Sequence, residues 1–314
     1  IEHSDSLYKA THTKAYLDSV DREYNKVTLA KIGFYGQGIY QRSKEKTITL
    51  PPLIKVIKPF ELGGLRIAAD ASYDKLYSSK KRLTIQTDLS YGIRNRDIKG
   101  HIIINRLYNP FNWAYFIVNA GREFAYIYGN DAWINAFKKS NLYEKYSLSV
   151  ENGFEVSNGL YLVDNLEFAA RNSVQSYKFG SKFDTLFRGA IPQSPPIAFD
   201  PYNAVYNNIT LSFTPHQLYR REPKQKVNLG SKWPTFSVTW RKGIPGILNS
   251  KINFDYLELM IKQKLKLGLA GISEYSFITG SFLNTRKLGI VDYKYMRQGD
   301  PLLALGGGLE PVHH

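Results

Sequence analysis

The stretch Leu83-Thr-Ile-Gln-Thr-Asp-Leu-Ser-Tyr-Gly-Ile93 alternates apolar and polar residues without a break. Successive side chains of a β-strand point to opposite faces, so one face of this segment is largely apolar and the other is polar. The same alternation returns later in the chain at Leu257, Leu259, Ile261, Leu265, Leu267 and Leu269. Faces of this length favour a closed transmembrane β-barrel over a soluble β-sandwich, which is the alternative fold for such a pattern.

Ten segments of this kind are predicted as strands, at residues 64–77, 81–95, 97–107, 113–124, 143–155, 159–171, 204–215, 234–243, 253–266 and 268–284. Several reach the roughly nine to eleven residues that cross a bilayer at a tilt. We predict tight turns at 79–81 and 157–159 on one side, and long loops at 125–142, 172–203 and 217–233 on the other. Short turns on one side and long loops on the other are typical of outer-membrane barrels.

The composition fits this fold. Aromatic residues make up 14% of the 314 residues, with 23 Tyr and 17 Phe, and transmembrane barrels place aromatic girdles at both membrane interfaces. The mean hydropathy of −0.33 does not argue against a membrane barrel, because only every second residue of a barrel strand faces lipid. No run approaches the roughly 18 apolar residues of a membrane-spanning helix. The absence of cysteine excludes disulfides and thiolate chemistry.

The formal charge of +15 is dispersed along the chain. Lys262, Lys264 and Lys266, for example, alternate on the polar face of one strand. This dispersion favours a wetted barrel wall and loop surface, and we expect no nucleic-acid partner. A soluble basic β-protein that binds polyanions is an alternative. Within the membrane interpretation, the basic side chains are candidates for contact with outer-membrane lipid or lipopolysaccharide phosphates.

Three regions are predicted. Residues 1–45 form a periplasmic arm or short helix followed by a linker, because Tyr16, Leu17 and Val20 stand at helical spacing. Residues 46–303 form the transmembrane barrel, beginning with a proline-containing loop at 46–58. Residues 304–314 are interpreted as a linker and tag-like tail.

Several short sequence segments resemble those of a known family. They are Tyr16-Leu-Asp-Ser-Val20, Leu50-Pro-Pro-Leu53, Gly63-Gly-Leu-Arg-Ile67, Leu211-Ser-Phe-Thr-Pro215, Gly230-Ser-Lys-Trp-Pro234, Trp240-Arg-Lys-Gly243, Ser281-Phe-Leu-Asn284 and Asp292-Tyr-Lys294. Through them the chain resembles Bacteroidota outer-membrane proteins of unknown function, in which a carboxypeptidase-regulatory-like domain precedes a β-barrel. The resemblance implies that this chain is the barrel portion, with its C-terminal strands missing. It supplies no catalytic residue.

Charged residues on the polar faces predict an ion network in the barrel lumen. Arg66, Asp70 and Asp74 fall on the same face of one predicted strand, because residues two apart in a strand point the same way. The further candidates for this network are Arg122, Glu151 and Glu167. Charges in a narrow lumen must pair, since an unpaired buried charge is unstable. We expect the network to fill and rigidify the lumen, with ion selectivity as the alternative role.

Five aromatic residues near predicted strand ends are candidates for loop contacts or a ligand platform, and they are Trp113, Tyr115, Tyr126, Tyr128 and Trp133. Girdle or packing residues are the ordinary interpretation of such aromatics.

His216 lies at a predicted strand end beside Arg220 and Arg221, and it raises an outer-membrane phospholipase-like hydrolase as an alternative function. The histidine spacings predict no metal site, and no cofactor is expected.

The sequence as a whole predicts a non-enzymatic outer-membrane β-barrel. Its expected role is structural, transport or envelope assembly, alongside other outer-membrane or periplasmic proteins. No motif of the sequence indicates the specific role.

Overall fold

The computed structural model describes residues 10–128, 138–180, 194–266, 268 and 271–295. Within these residues the chain forms 15 β-strands, and 13 of them join one antiparallel sheet. Among the same residues, no helix has the length and apolar content needed to cross a membrane. The 13-stranded antiparallel sheet confirms the prediction of an all-β antiparallel fold.

The arm contains a helix, as predicted, and this helix (α1, Lys14–Tyr24) is tied to the strands that follow it. The carboxylate of Asp21 lies 2.5 Å from the Arg42 guanidinium. The side chain of Asn25 binds the backbone of Tyr40 twice, accepting from its N–H at 2.7 Å and donating to its carbonyl at 2.8 Å. These contacts hold the arm against the sheet rather than leaving it as a free tail.

Short elements follow α1, namely a π-helical turn at Lys31–Tyr35, β1 at Gln37–Gln41, a 3-10 turn at Arg42–Lys44, β2 at Lys46–Leu50, α2 at Leu53–Val56 and β3 at Ile57–Glu61. The prediction of a loop at 46–58 is wrong, because β2 and β3 both pair with β4 there. Pro51 and Pro52 interrupt regular secondary structure only between β2 and α2. Pro59 lies within β3, which is off the main path of the sheet, and an edge strand tolerates a residue without an N–H.

The ten long strands are β4 (Gly64–Leu76), β5 (Arg82–Gly92), β6 (Asp97–Asn109), β7 (Ala114–Tyr126), β8 (Leu142–Ser157), β9 (Leu160–Ser173), β10 (Tyr202–Phe213), β13 (Thr235–Gly243), β14 (Asn253–Lys266) and β15 (Ile272–Lys287). They agree with all ten predicted segments to within a few residues. A separate hairpin is formed by β11 (Leu218–Glu222) and β12 (Gln225–Gly230). Among the described residues, three further 3-10 turns lie at Lys139–Asn141, Ile247–Asn249 and Ile290–Asp292.

Neighbours in the sheet follow the order β1-β2-β4-β5-β6-β7-β8-β9-β10-β13-β14-β15, with β3 beside β4. Almost every strand thus pairs with its neighbour in sequence, as in an up-and-down meander. Among the described residues this path runs from β1 to β15 and does not join the two into a ring.

The two ends of the long strands differ. The end that carries the connections at 77–81, 110–113 and 158–159 is called the turn end, and the opposite end, which carries 127–141 and 174–201, is called the loop end. The prediction for 217–233 is wrong in two respects. This stretch forms the β11–β12 hairpin, and it lies at the turn end because it joins β10 to its antiparallel neighbour β13.

The cross-strand register gives the sheet two unlike faces. The face that carries Leu83, Ile85, Leu89 and Tyr91 is called the apolar face, and the opposite face is called the polar face. On the apolar face, Leu211 of β10 stands opposite Val238 of β13, which stands opposite Leu259 of β14. These three side chains are 44%, 41% and 45% exposed. The alternation predicted from the sequence is thus present across the sheet.

A buried cluster lies on the polar face near the loop end, and its members are Ala204, Tyr206, Ile252, Phe254 and Tyr256. The strands β5 and β6 approach closely at Gly100 of β6, where φ is +132°. A Cβ at this position would lie 1.6 Å from the carbonyl oxygen of Asp88. Only glycine therefore allows β5 and β6 to approach this closely at this position.

Candidate functional site

The polar face toward the turn end is lined by hydroxyl groups. Three cross-strand pairs join β10 and its extension to β13, with Thr210 and Thr239 oxygens 3.0 Å apart and Ser212 and Ser237 oxygens 2.8 Å apart. Thr214 and Thr235 form the third pair at 2.8 Å. Each hydroxyl is satisfied by its neighbour, so this part of the face is polar without carrying charge.

A first ion cluster lies at the loop end and centres on Arg66, whose side chain is only 4% exposed. Its Nη1 donates to Asp97 Oδ1 at 2.9 Å, and its Nη2 donates to the backbone carbonyls of Ser90 and Asp97. The Nζ of Lys99 lies 3.5 Å from Asp97 Oδ2 and 2.6 Å from Glu144 Oε1. The charges of Arg66 and Asp97 are thus paired and hydrogen-bonded, as buried charges require.

Arg122 joins this first cluster from β7. Its Nη2 lies 2.9 Å from the same Glu144 oxygen that binds Lys99. Pairing between β6 and β7 stops at Gly100 and Arg122, and the contact between Lys99 and Glu144 is made beyond that point. Arg66 and Arg122, both predicted site residues, are therefore connected, but through Asp97, Lys99 and Glu144, which no sequence pattern indicates. The prediction that Arg122 shares the polar face with Arg66 is wrong, because the register places it on the face of Ile102 and Leu148.

A second ion cluster joins positions 121 residues apart. Arg171 Nη1 lies 2.5 Å from Asp292 Oδ1, and their side chains are 2% and 0% exposed. The Tyr202 hydroxyl completes the cluster, accepting from Arg171 at 3.0 Å and donating to Asp292 at 3.2 Å. This is the most deeply buried ion pair among the described residues.

Asp292 belongs to a short segment, residues 289–295, that crosses the polar face after β15. Lys294 reaches Glu258 of β14 at 2.7 Å. The ring of Tyr295 packs edge-on against Tyr128, just after β7, with centroids 4.5 Å apart. With the Arg171 contact, the segment is anchored on β14, on β9 and beside β7. It is called the crossing segment below.

The remaining predicted ion residues have separate partners. Asp70 lies 3.9 Å from Lys58, and Asp74 binds Arg82 at 3.0 Å and the Thr84 hydroxyl at 2.7 Å. Glu151 accepts from the Tyr115 hydroxyl at 2.9 Å and from Asn165 at 3.2 Å, and Glu167 lies 2.5 Å from Lys145. The six predicted residues therefore belong to several local clusters.

The predicted loop aromatics do not share a location. Trp113 has a left-handed backbone, with φ at +53°, in the turn before β7, and Tyr126 closes the same strand at its other end. A strand of 13 residues spans roughly 40 Å at about 3.3 Å per residue. Tyr115 lies with Trp113 near the turn end and Tyr128 lies with Tyr126 at the loop end. Trp133 lies outside the described residues.

His216 has no catalytic partner among the described residues. Its ring lies 5.6 Å from the ring of Trp233, and its backbone φ is +49°. The nearby Ser231 hydroxyl donates to the carbonyl of Pro215 at 2.6 Å, so it is engaged by the backbone. In the part of the chain that the structure describes, no group of three His, Asp or Glu side chains is arranged to hold a metal ion.

A cleft among the described residues lies at the arm and not at either ion cluster. It has a volume of about 550 Å³ and is open to solvent between α1 and the β1–β2 hairpin. Its lining is charged and includes Lys14, Asp18, Arg22 and Lys44. An open, charged cleft of this kind suits contact with a polar partner better than enclosure of a small apolar ligand.

One family matches the chain over most of its length. A family model described as the C-terminal domain of a family of unknown function (DUF5686) matches residues 31–309. No curated protein matches the chain. The matched range includes every strand of the described residues, both ion clusters and the crossing segment. The chain therefore belongs to this family, as the C-terminal domain that carries the antiparallel sheet.

Proposed function

We propose that the sheet is the wall of a transmembrane β-barrel in the outer membrane of a Bacteroidota-type envelope. The protein is then a non-enzymatic component of that membrane, with a structural, transport or assembly role beside other outer-membrane or periplasmic proteins. Its lipid partners are the outer-membrane phospholipids and lipopolysaccharide.

The observation that carries this proposal is the exposed apolar face. Its large side chains, 38–61% exposed, extend along the sheet from β4 to β15, and they include Ile67, Leu89, Tyr91, Ile98, Ile102, Leu148, Val150, Leu166, Leu211, Phe213, Phe236, Val238, Trp240, Leu259 and Phe277. Soluble monomers rarely expose contiguous apolar patches above a few hundred Å². A lipid environment accounts for a face of this composition.

Strand length and the second face support the same proposal. The ten long strands have 9 to 16 residues, which suits the roughly nine to eleven that cross a bilayer at a tilt. The polar face carries paired charges and hydroxyl ladders, as the inside of such a barrel does. The crossing segment occupies part of that face, which favours a structural or gated role over a wide open pore.

The test is heat-modifiability of the detergent-extracted protein on a gel, comparing unheated and boiled samples. A closed barrel resists the gel detergent until it is heated, so we expect two apparent masses. A single mass in both samples, together with a monodisperse protein in buffer without detergent, would overturn the proposal. That second outcome would instead support a soluble basic β-protein that binds polyanions.

A further inference from the structure

The β11–β12 hairpin leaves the sheet and lies over neighbouring connections at the turn end. The backbone N–H of Lys226 donates to the carbonyl of Pro110 at 3.2 Å. Its Nζ lies 2.5 Å from Glu155, whose side chain is 4% exposed. Asn158 donates to the carbonyl of Gln217 at 2.7 Å. One side of the hairpin is therefore anchored on the turns before β7 and β9.

The other side of the hairpin is exposed and basic. Residues 215–234 contain five basic residues and one acidic residue, Glu222. Arg220, Arg221 and Lys224 are exposed. Leu218, Tyr219, Leu229 and Trp233 lie in the same stretch with 50–64% of their surface exposed. The exposed residues of 218–233 are called the basic hairpin surface.

The basic charge continues onto the neighbouring β4–β5 turn. Hydrogen bonds from Gln225 and Arg220, with the charge of Lys80 on that turn, lower the pKa of Glu222. At the same end of the sheet, the ring of Tyr77 lies 4.7 Å from Lys75 Nζ and 4.4 Å from Arg106 Cζ. Cationic and aromatic side chains thus alternate along the turn end of the sheet.

Two properties of the basic hairpin surface identify its partner. Exposed Trp, Tyr and Leu side chains beside the edge of the apolar face suit the boundary between lipid tails and water. Exposed Arg and Lys next to them suit phosphate groups, which Arg binds through a two-pronged contact. An acidic protein would match the charge, but it would not account for the apolar side chains.

We propose that the basic hairpin surface binds the anionic headgroups of phospholipids in the leaflet at the turn end. This inference rests on the proposed membrane location. The turn end of the sheet is thereby held at the membrane surface by charge as well as by apolar burial.

The test uses two single-tryptophan proteins in vesicles, with brominated lipids as contact quenchers. The first protein keeps Trp233, with Trp113, Trp133 and Trp240 changed to Phe, and reports on the hairpin. The second keeps only Trp240, which is 41% exposed on the apolar face, and reports on membrane insertion. Brominated phosphatidylglycerol is compared with brominated phosphatidylcholine. We expect Trp240 to be quenched equally by both lipids and Trp233 to be quenched preferentially by phosphatidylglycerol.

The basic residues are then tested by a matched pair of triple variants. Arg220→Gln with Arg221→Gln and Lys224→Gln removes three charges from the hairpin. Because each basic side chain near an anionic surface contributes about fivefold to binding, the preference at Trp233 should fall on the order of tenfold or more.

The control removes three exposed charges from the loop end. Lys178→Gln with Lys251→Gln and Lys287→Gln should leave the preference at Trp233 unchanged, since these residues lie at the other end of the strands. Raising the salt to about 1 M shortens the screening length to roughly 3 Å and should act like the hairpin variant.

The two possible failures are distinguishable. If Trp240 is quenched by neither lipid, the membrane location itself is wrong. If Trp240 is quenched by both lipids while Trp233 shows no preference, or the two triple variants behave alike, the lipid-binding inference alone is overturned.

Discussion

The two faces of the sheet are built in opposite ways. The apolar face exposes Leu211, Val238 and Leu259 by more than two fifths of their surface. The polar face buries the pair Arg171 and Asp292 almost completely. A water-soluble protein places most large apolar side chains inside and most charges outside. The composition of the apolar face is therefore explained by the medium that surrounds it, and not by packing inside the protein.

The largest effect is expected from breaking the most buried ion pair. Asp292→Ala leaves the Arg171 guanidinium without its carboxylate in a site where it is 2% exposed. Removing one partner of a buried pair typically lowers stability by about 3–5 kcal/mol, because the remaining charge is uncompensated. Chemical unfolding in detergent micelles measures this change. A loss below about 0.5 kcal/mol would show that Arg171 is hydrated or has another partner.

A double replacement separates charge from packing at the same place. Arg171→Met with Asp292→Leu removes both charges and keeps apolar bulk. Replacing a whole buried ion pair in this way is often neutral or stabilising by about 1–4 kcal/mol. The double variant should therefore be much more stable than Asp292→Ala, provided that the crossing segment keeps its path over the polar face.

The next largest effect is expected from placing a charge on each face in turn. Leu259 and Met260 are adjacent in β14 and point to opposite faces. In lipid vesicles, Leu259→Arg should lower stability by about 2–4 kcal/mol if the position lies near the bilayer midplane. Met260→Arg points toward the polar face, so a clearly smaller loss is expected.

The same pair of variants tests the proposed membrane location. Substitutions at exposed positions of soluble proteins usually change stability by less than about 0.5 kcal/mol. Leu259 is 45% exposed, so a soluble protein should tolerate Leu259→Arg. If that variant matches the parent in stability and needs no detergent, the apolar face does not contact lipid.

The strands were predictable because their signal is local. Alternation with a period of two needs only the residues of one strand, and β14 was predicted with its observed bounds, 253–266. The short strands β1, β2, β3, β11 and β12 are not predicted, because they are only five or six residues long and lie among prolines, charges and turn residues. Pairing with nearby strands, and not an alternating pattern of their own, forms these strands.

The ion clusters are less predictable than the strands. Their contacts depend on the register between strands and on contacts between residues far apart in the sequence. The shared face of Arg66, Asp70 and Asp74 follows from their spacing alone. That Arg66 pairs with Asp97, 31 residues away, depends on how β4, β5 and β6 align. Asp292 stands outside any alternating segment, and no periodic pattern connects it with Arg171.

A smaller effect is expected where a buried carboxylate anchors an exposed element. Glu155 accepts from the Gly159 N–H at 3.0 Å and from Gln217 at 3.1 Å, and it pairs with Lys226. Hydrogen bonds to a charged group contribute about 1.5–3 kcal/mol, so Glu155→Gln should loosen the β11–β12 hairpin. Limited trypsin digestion should then cut at Arg220 or Arg221 faster than in the parent protein.

The control for this anchor is another acidic residue near the turn end. Glu274 pairs with Lys262 at 2.7 Å, and both side chains are about half exposed. Glu274→Gln removes the same charge without touching the hairpin, so trypsin cleavage at the hairpin should stay at the parent rate. Equal acceleration by both variants would mean that net charge, and not the Glu155 contacts, controls the hairpin.

The smallest effect is expected from an exposed ion pair with the same chemistry as a buried one. Arg82 and Asp74 join β5 to β4 at 3.0 Å, with 61% and 34% of their side chains exposed. Exposed pairs contribute about 0–1 kcal/mol, because water screens the charges and two long side chains must be ordered. Arg82→Gln should stay within that range, whereas Arg66→Gln should lower stability by about 3–5 kcal/mol. Because both arginines bind one aspartate at about the same distance, a similar loss in the two variants would mean that burial does not separate them.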